Sequence, residues 1–157
     1  MITIKKLAMQ LCLSSAVIAA MPVTFAAEVA QSNAQHYMVK NVNIGDLPVK
    51  TIVPITAKTA EQAIAQAKVI ASNPDVDLAE FRIDLLEFSA DTKKVIALGQ
   101  QLNQILKDKP LIATIRTHNE GGKMTVSDQD YEKIYREYLK APFMQLLDIE
   151  MFRDAGS

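Results

Sequence analysis

Cysteine is almost absent from this sequence and tryptophan is missing altogether: the 157 residues include one cysteine, Cys12, and no tryptophan. Cys12 lies inside an N-terminal segment that has the features of an export signal, and it comes too early in that segment to be a lipidation site. We expect the signal to be removed, which leaves a mature chain without a thiol. Disulfide bonds and thiol chemistry are therefore excluded for the mature protein.

The sequence also lacks an excess of charge of either sign. Its 17 basic and 18 acidic residues leave a formal net charge of −1, and no run of basic residues occurs. Proteins that bind nucleic acids through their phosphates carry a basic patch or stripe. We therefore expect a small-molecule partner and no nucleic acid.

Long apolar runs are scarce, and the main one, 7–20, follows two basic residues, Lys5 and Lys6. Small residues lead from it to Ala26, where we expect cleavage, so the pattern indicates a signal peptide over 1–26. A membrane anchor is the alternative, but polar residues interrupt the run and it falls short of the roughly 20 residues that span a bilayer. We expect a periplasmic or secreted protein with no membrane association after cleavage.

The remaining sequence is long enough for one modest domain with its own core. Residues 27–36 are polar, and we expect them to form a disordered leader. The domain then covers 37–157, and no Gly/Ser-rich or Pro-rich linker divides it.

Three apolar runs end in charged clusters at a regular interval. Arg82 to Arg116 and Arg116 to Glu150 are each 34 residues apart (116 − 82 and 150 − 116). That interval has room for a strand, a crossover helix and the next strand, so the rhythm is typical of a βα array. The charged residues lie at the predicted strand ends.

The elements around these clusters follow from turn signals and helical periodicity. Gly45 and Pro48 predict a turn that joins two strands into a hairpin. Polar caps and apolar spacing predict helices between the later strands. The predicted strands are 38–44, 49–56, 78–84, 111–116 and 143–149, and the predicted helices are 60–72, 91–107 and 127–140.

This order predicts a parallel sheet whose ligand-facing edge is the carboxyl end of its strands. An open doubly wound sheet and part of a (βα)₈ barrel are the two alternatives. An open sheet would bury apolar residues on both faces. Charged residues that point inward at strand ends favour the barrel, where such positions form the active site.

Two arginines are the main candidates for a binding site. Glu80 shares a strand face with Arg82, and Thr114 shares one with Arg116, because a strand alternates its faces with period two. Arg82 and Arg116 would then place two multi-donor cations over one cavity, an arrangement that suits hydroxyl, carbonyl or carboxylate oxygens. The plainer alternative is a structurally tolerated ion pair between Glu80 and Arg82.

Other candidates are weaker. His118 follows a predicted strand in a polar loop, and we interpret it as a solvated histidine. Asp148 and Glu150 could join it in an oxygen-rich metal site, or the two carboxylates could pair with the arginines. No lysine is a convincing nucleophile, because Lys58, Lys123 and Lys140 lie in polar loops or at a helix end, where nothing apolar lowers a pKa.

Four short motifs occur in order after the predicted hairpin: VPITAKT at 53–59, EFRID at 80–84, TIR at 114–116 with EGG at 120–122, and DIEMF at 148–152. With them the sequence resembles type I 3-dehydroquinate dehydratase from about Tyr37 to its end. The resemblance implies a (βα)₈ barrel that converts 3-dehydroquinate to 3-dehydroshikimate through a lysine Schiff base. It also implies a histidine as proton shuttle, no metal or other cofactor, and a homodimer.

The resemblance further implies roles for four residues. Glu80, Arg82 and Arg116 correspond to residues that hold the ring oxygens of the substrate, and Glu120 to the carboxylate that orients the catalytic histidine. The histidine and the Schiff-base lysine correspond to strands that would follow Ser157.

We therefore expect this chain to be the N-terminal half of a barrel, about four βα units, and to be inactive alone. A complete (βα)₈ barrel typically needs about 250 residues. A half barrel leaves two exposed strand edges, which predicts poor solubility or self-association. The alternative is a non-catalytic half-barrel module for binding or assembly that keeps the oxygen-holding residues.

Overall fold

The computed structural model describes residues 36–151, so the predicted signal peptide, most of the predicted leader and the residues after Met151 lie outside the described residues. Six strands and three α-helices follow one another in this part of the chain. They are β1 (Tyr37–Val39), β2 (Val42–Ile44), β3 (Ile52–Ile55), α1 (Ala60–Ser72), β4 (Leu78–Arg82), α2 (Thr92–Leu106), β5 (Leu111–Thr114), α3 (Asp128–Lys140) and β6 (Leu146–Asp148).

Strands β3 to β6 form one parallel sheet in the order β3-β4-β5-β6, each paired with its sequence neighbour through a helical crossover. This confirms the predicted α/β class and the parallel sheet. The unbroken sequential order is the one expected of a barrel half rather than of a doubly wound sheet, in which the strand order reverses.

The helices pack on one face of the sheet, where the apolar core lies. Phe81, Ile83 and Ile115 are buried there, as the alternation of strand faces predicts. The ring of Phe143 packs edge-to-face on Tyr138, with ring centroids 5.4 Å apart, and α2 approaches it closely at Gly99. A Cβ atom at Gly99 would lie 2.3 Å from the Phe143 ring, so only glycine fits at this crossing.

The predicted helices agree with the structure almost to the residue. Helix α1 begins after Thr59, whose hydroxyl accepts the backbone N–H of Gln62 at 3.4 Å. Helix α3 begins after Ser127, whose hydroxyl accepts the backbone N–H of Asp130 at 3.1 Å. These side chains satisfy N–H groups that a helix leaves open at its first turn.

The predicted hairpin is wrong in its turn. The structure pairs β1 with β2 through Lys40 and Asn41, and β3 joins the parallel sheet rather than the hairpin. Lys40 adopts a positive φ of 50°, which a lysine rarely does. Its ammonium group donates to Asn103 Oδ1 and to two backbone carbonyls at the end of α2, at 2.7–3.0 Å, and these long-range bonds hold the turn there.

The four predicted strands of the parallel sheet are all shorter in the structure, and those predicted over 49–56 and 111–116 are reduced to β3 and β5. The strand predicted over 78–84 ends at Arg82 and continues as a 3₁₀ turn, Ile83–Leu85. The strand predicted over 143–149 is confined to β6, and Ile149 beyond it is 56% exposed, although strand alternation placed it on the buried face. The described helices leave the outer side of this last strand partly uncovered.

None of the helices within residues 36–151 combines the length and the apolar character needed to cross a bilayer.

Candidate active site

The candidate site lies at the carboxyl edge of the parallel sheet. Thr114 on β5 is in register with Arg82 on β4 and with Asp148 on β6. Because parallel strands point their carboxyl ends the same way, the charged residues that follow each strand meet along this edge. The structure therefore brings Arg82 and Arg116, the two predicted arginines, to one side of the molecule.

Arg82 is fixed by Asp84. Its Nε and Nη2 atoms donate to the two carboxylate oxygens of Asp84, each at 2.9 Å, and the Asp84 side chain is fully buried. This bidentate hydrogen bond, followed by the attraction of nearby carboxylates, raises the pKa of Arg82. The direct Glu80–Arg82 ion pair is not found among the described residues, because the chain turns after Arg82 and brings Asp84 to it instead.

Asp84 also links the two arginines. Its carboxylate accepts the backbone N–H of Arg116 at 3.4 Å and that of Lys123 at 3.2 Å. The strand end that carries Arg116 and the loop that follows it are therefore tied to the carboxylate that holds Arg82. Asp84 was not identified from the sequence as a site residue, although it closes the EFRID motif.

Arg116 lies among three carboxylates. It donates to Glu120 and to Asp148, and its Nη1 atom is 3.8 Å from Glu150 Oε1. Partial burial works against its charged form, but the surrounding carboxylates, Asp148 first among them, outweigh that effect and raise the pKa of Arg116. The alternative in which Asp148 pairs with an arginine is thus the one that the structure shows.

Glu150 is the most buried of these carboxylates, with a side chain 1% exposed. It accepts the backbone N–H and the hydroxyl of Thr117, both at 2.7 Å. Thr117 was not identified from the sequence, where it is one polar residue in a polar loop. The loop turns back at Gly122, where a Cβ atom would lie 1.9 Å from the Arg116 carbonyl oxygen, so glycine is required beside the arginine.

The remaining weaker candidates have exposed side chains. His118 is exposed in a 3₁₀ turn, His118–Glu120, and Lys58, Lys123 and Lys140 are exposed as well. No group of three or more histidine, cysteine, aspartate or glutamate side chains that could hold a metal ion is present in the described part of the chain.

The face of the sheet opposite the helices carries an open hollow of about 430 Å³, and two of its lining residues, Thr114 and Asp148, are in register with Arg82. Glu80, Thr114 and Asp148 provide its polar atoms, and the rest is apolar, from Ile52, Ile112, Leu146 and Leu147. The Thr114 hydroxyl is buried and has no hydrogen-bond partner among the described residues. A larger hollow of about 540 Å³ lies between the start of α2 and α3, away from this sheet face, and neither hollow is lined by an arginine.

The side chains at this edge are suited to binding a ligand rather than to covalent catalysis. Two guanidinium groups with fixed orientations can hold hydroxyl, carbonyl or carboxylate oxygens over the hollow. A nucleophile with a lowered pKa is not found at this edge within residues 36–151. The chemistry that the arginines serve would need groups from elsewhere.

The part of the chain that matches known proteins contains the candidate site. A family model described as type I 3-dehydroquinase matches residues 51–156. The catabolic 3-dehydroquinate dehydratase of Acinetobacter baylyi is 76% identical over 135 residues, which are 85% of this chain and 50% of that protein.

Two solved structures share the fold over three quarters of the chain. The 3-dehydroquinate dehydratase of Enterococcus faecalis superposes with a TM-score of 0.71 at 43% identity, over 75% of this chain and 49% of that one. The type I enzyme of Clostridium difficile, solved with covalently modified comenic acid, superposes with a TM-score of 0.72 at 30% identity, over 75% and 46%.

The chain spans about half the length of the relatives it matches. The match nonetheless includes the whole described parallel sheet and both arginines. The chain belongs to the type I 3-dehydroquinase family.

Proposed function

We propose that this chain supplies the arginine-bearing half of a 3-dehydroquinate dehydratase active site. The observation that carries the proposal is the convergence of Arg82 and Arg116 on one sheet edge, each held by carboxylates that fix its orientation. Guanidinium groups held in this way lose little conformational freedom when they bind substrate oxygens.

In the proposed reaction, 3-dehydroquinate loses water to give 3-dehydroshikimate through a Schiff base with a lysine. The lysine and the proton-shuttling histidine come from the other half of the barrel. Glu80, Arg82 and Arg116 hold the oxygens of the substrate ring. Glu120, which here accepts a hydrogen bond from Arg116, is proposed to orient that histidine in the complete barrel.

We further propose that the protein is exported through its N-terminal signal and serves a catabolic pathway in the periplasm. The basic and apolar pattern of residues 1–26 supports export. The name of the A. baylyi relative, a catabolic dehydratase, supports the pathway. The complete enzyme is proposed to be a homodimer. Mass spectrometry of the protein from a periplasmic extract tests export, because cleavage after Ala26 fixes the mature mass.

A non-catalytic half-barrel module is the second candidate. It is favoured by exposed apolar side chains beside both outer strands of the described sheet, among them Ile52, Val69, Leu139 and Ile149. Such a module would bind a cyclic hydroxy acid or a second half barrel without turnover.

An experiment that completes the barrel distinguishes the two candidate functions. This chain is joined to the segment of the A. baylyi relative that it does not cover, and 3-dehydroquinate is added with and without borohydride. We expect turnover without borohydride, and with it a covalent adduct on a lysine, because borohydride reduces a Schiff base to a stable amine.

This chain alone is the control, and we expect neither turnover nor adduct from it. A chimera that folds, as judged by circular dichroism, but forms no adduct would favour the module. Turnover by the chain alone would contradict the proposed division of the site between two halves.

A further inference from the structure

Three buried tyrosines lie along one face of α3, at Tyr131, Tyr135 and Tyr138. Their rings pack edge-to-face, with centroids 4.8 Å apart for the first pair and 6.0 Å for the second. Residues three and four apart on a helix share a face, so the sequence spacing explains the ladder. Packing alone would be served equally well by phenylalanine, so the hydroxyl groups need a separate explanation.

The hydroxyl of Tyr135 bridges two strands at the candidate site. It accepts the backbone N–H of Ile115 at 3.1 Å and donates to the backbone carbonyl of Asp148 at 2.7 Å. The last register pair of β5 and β6 is Thr114 with Asp148, so the bridge lies where the sheet ladder ends. Arg116 follows directly on one side of the bridge, and Asp148 is on the other.

Tyr131 makes a similar contact two residues farther along the same chain segment, at Glu150. Its hydroxyl accepts the backbone N–H of Glu150 at 3.1 Å, in a buried position. The backbone positions of Asp148 and Glu150, two of the three carboxylates around Arg116, are therefore each hydrogen-bonded to a tyrosine of α3.

We propose that Tyr131 and Tyr135 are positioning residues, which hold the ends of β5 and β6 so that Asp148 and Glu150 stay directed at Arg116. The inference rests on the proposed function only in assuming that Arg116 binds substrate oxygens. Strand ends that leave the ladder lose the hydrogen bonds that fix them, and the two hydroxyls replace those bonds from the helix side.

Protonation supports the bridge of Tyr135. Burial, followed by interactions with Tyr131, raises the pKa of Tyr135 well above its usual range. The raised pKa favours the protonated hydroxyl, which is the form that donates to the Asp148 carbonyl.

Tyr138 offers a matched control within the same ladder. Its side chain is fully buried, and its hydroxyl has no hydrogen-bond partner in the described part of the chain. The variants Tyr131→Phe, Tyr135→Phe and Tyr138→Phe thus each remove one oxygen from the same helix face. Only the first two remove a hydrogen bond to a strand end.

The test is nuclear magnetic resonance of this chain and the three variants. For Tyr135→Phe we expect the Ile115 amide to exchange about tenfold faster, as the loss of one hydrogen bond predicts, and the Arg116 Nε–H resonance to shift. For Tyr131→Phe we expect faster exchange at Glu150 and a shift of the same arginine resonance. For Tyr138→Phe we expect neither change.

The Arg116 Nε–H resonance separates a positioning role from a general effect on stability. A variant that only destabilises the fold would lower the unfolding midpoint and leave this resonance unchanged. The inference is overturned if Tyr131→Phe and Tyr135→Phe leave the Arg116 resonance where Tyr138→Phe leaves it. Should Tyr135→Phe fail to fold, Tyr131→Phe decides by the same criterion. No substrate or turnover is needed, so this result is independent of the dehydratase assay.

Discussion

At the scale of single residues, Asp84 connects the most parts of the candidate site. It holds the Arg82 guanidinium with both oxygens and accepts the backbone N–H groups of Arg116 and Lys123. The sequence indicated the two arginines because they end predicted strands. It could not indicate Asp84 as their link, because alternation places Glu80 and Asp84 on the same face as Arg82, and which of the two pairs with the arginine is decided by the turn of the chain at Ile83.

The substitution Asp84→Asn tests this connection. The amide keeps the size of the side chain but not its charge, so the partly exposed Arg82 guanidinium loses its counter-ion. We expect the free energy of unfolding to fall by about 1.5–3 kcal/mol, as for the loss of a hydrogen bond to a charged group. Urea denaturation measures the change.

Asp75→Asn is the matched control, because Asp75 lies exposed in the loop after α1. We expect its effect to stay within about 0.5 kcal/mol, as is usual for surface positions. Equal effects of the two substitutions would show that Asp84 carries no special share of the stability.

At the scale of elements, the helices were predictable and the ends of the strands were not. Helix bounds follow from local signals, such as the caps Thr59 and Ser127, that act within one turn. The hairpin turn depends on Lys40, which bonds to Asn103 and the end of α2, more than 60 residues away. A turn that is fixed by tertiary contacts leaves no local signal in the sequence. Gly45 and Pro48 do give a local turn signal, and the hairpin turn was therefore predicted there.

The N-cap of α2 gives a prediction with a defined pH dependence. The Asp91 side chain accepts the backbone N–H of Lys94 at 3.1 Å, and this bond is the main reason that the pKa of Asp91 is lowered. A carboxyl group with a lowered pKa in the folded state contributes stability above its unfolded pKa, about 3.9. That contribution is lost as the pH falls through the folded pKa.

Asp91→Ser keeps a capping oxygen without the charge. We expect the unfolding temperature of the unsubstituted protein to exceed that of the variant at pH 6, and the difference to shrink below about pH 4. Calorimetry at several pH values measures it, with Asp75→Ser as the control for loss of an exposed carboxylate. A difference that does not change with pH would contradict the assignment.

At the scale of the whole molecule, the regular spacing of charged strand ends predicted the parallel sheet and the edge at which the charged residues meet. It could not predict how much apolar surface stays exposed beside the outer strands. Ile149 continues an alternating pattern in the sequence that predicts a buried side chain, yet it is exposed. Burial depends on neighbouring side chains, and the described residues do not cover Ile149. Apolar surface of this kind favours association.

We therefore expect this chain to self-associate through the two outer strands of its sheet. Analytical ultracentrifugation should show an average mass that rises with concentration. The double substitution Val69→Lys and Ile149→Lys, one on each side, should lower that mass, because each lysine replaces an exposed apolar side chain beside an outer strand. Leu47→Lys, in the loop before the sheet, should not.

A concentration-independent monomer would contradict this expectation. So would an equal effect of Leu47→Lys, since Leu47 is 87% exposed but lies in the loop between β2 and the parallel sheet.

The central claim is that Arg116 is held at the edge of the sheet to bind substrate oxygens. The most direct measurement is kcat/KM for 3-dehydroquinate in the completed chimera with Arg116→Lys, compared with Arg136→Lys on the exposed face of α3. Lysine keeps the charge but not the planar fork, and a lost charged hydrogen bond is worth about 1.5–3 kcal/mol. We expect Arg116→Lys to lower kcat/KM by roughly tenfold to hundredfold and Arg136→Lys to leave it unchanged. Equal values for the two variants would contradict the claim.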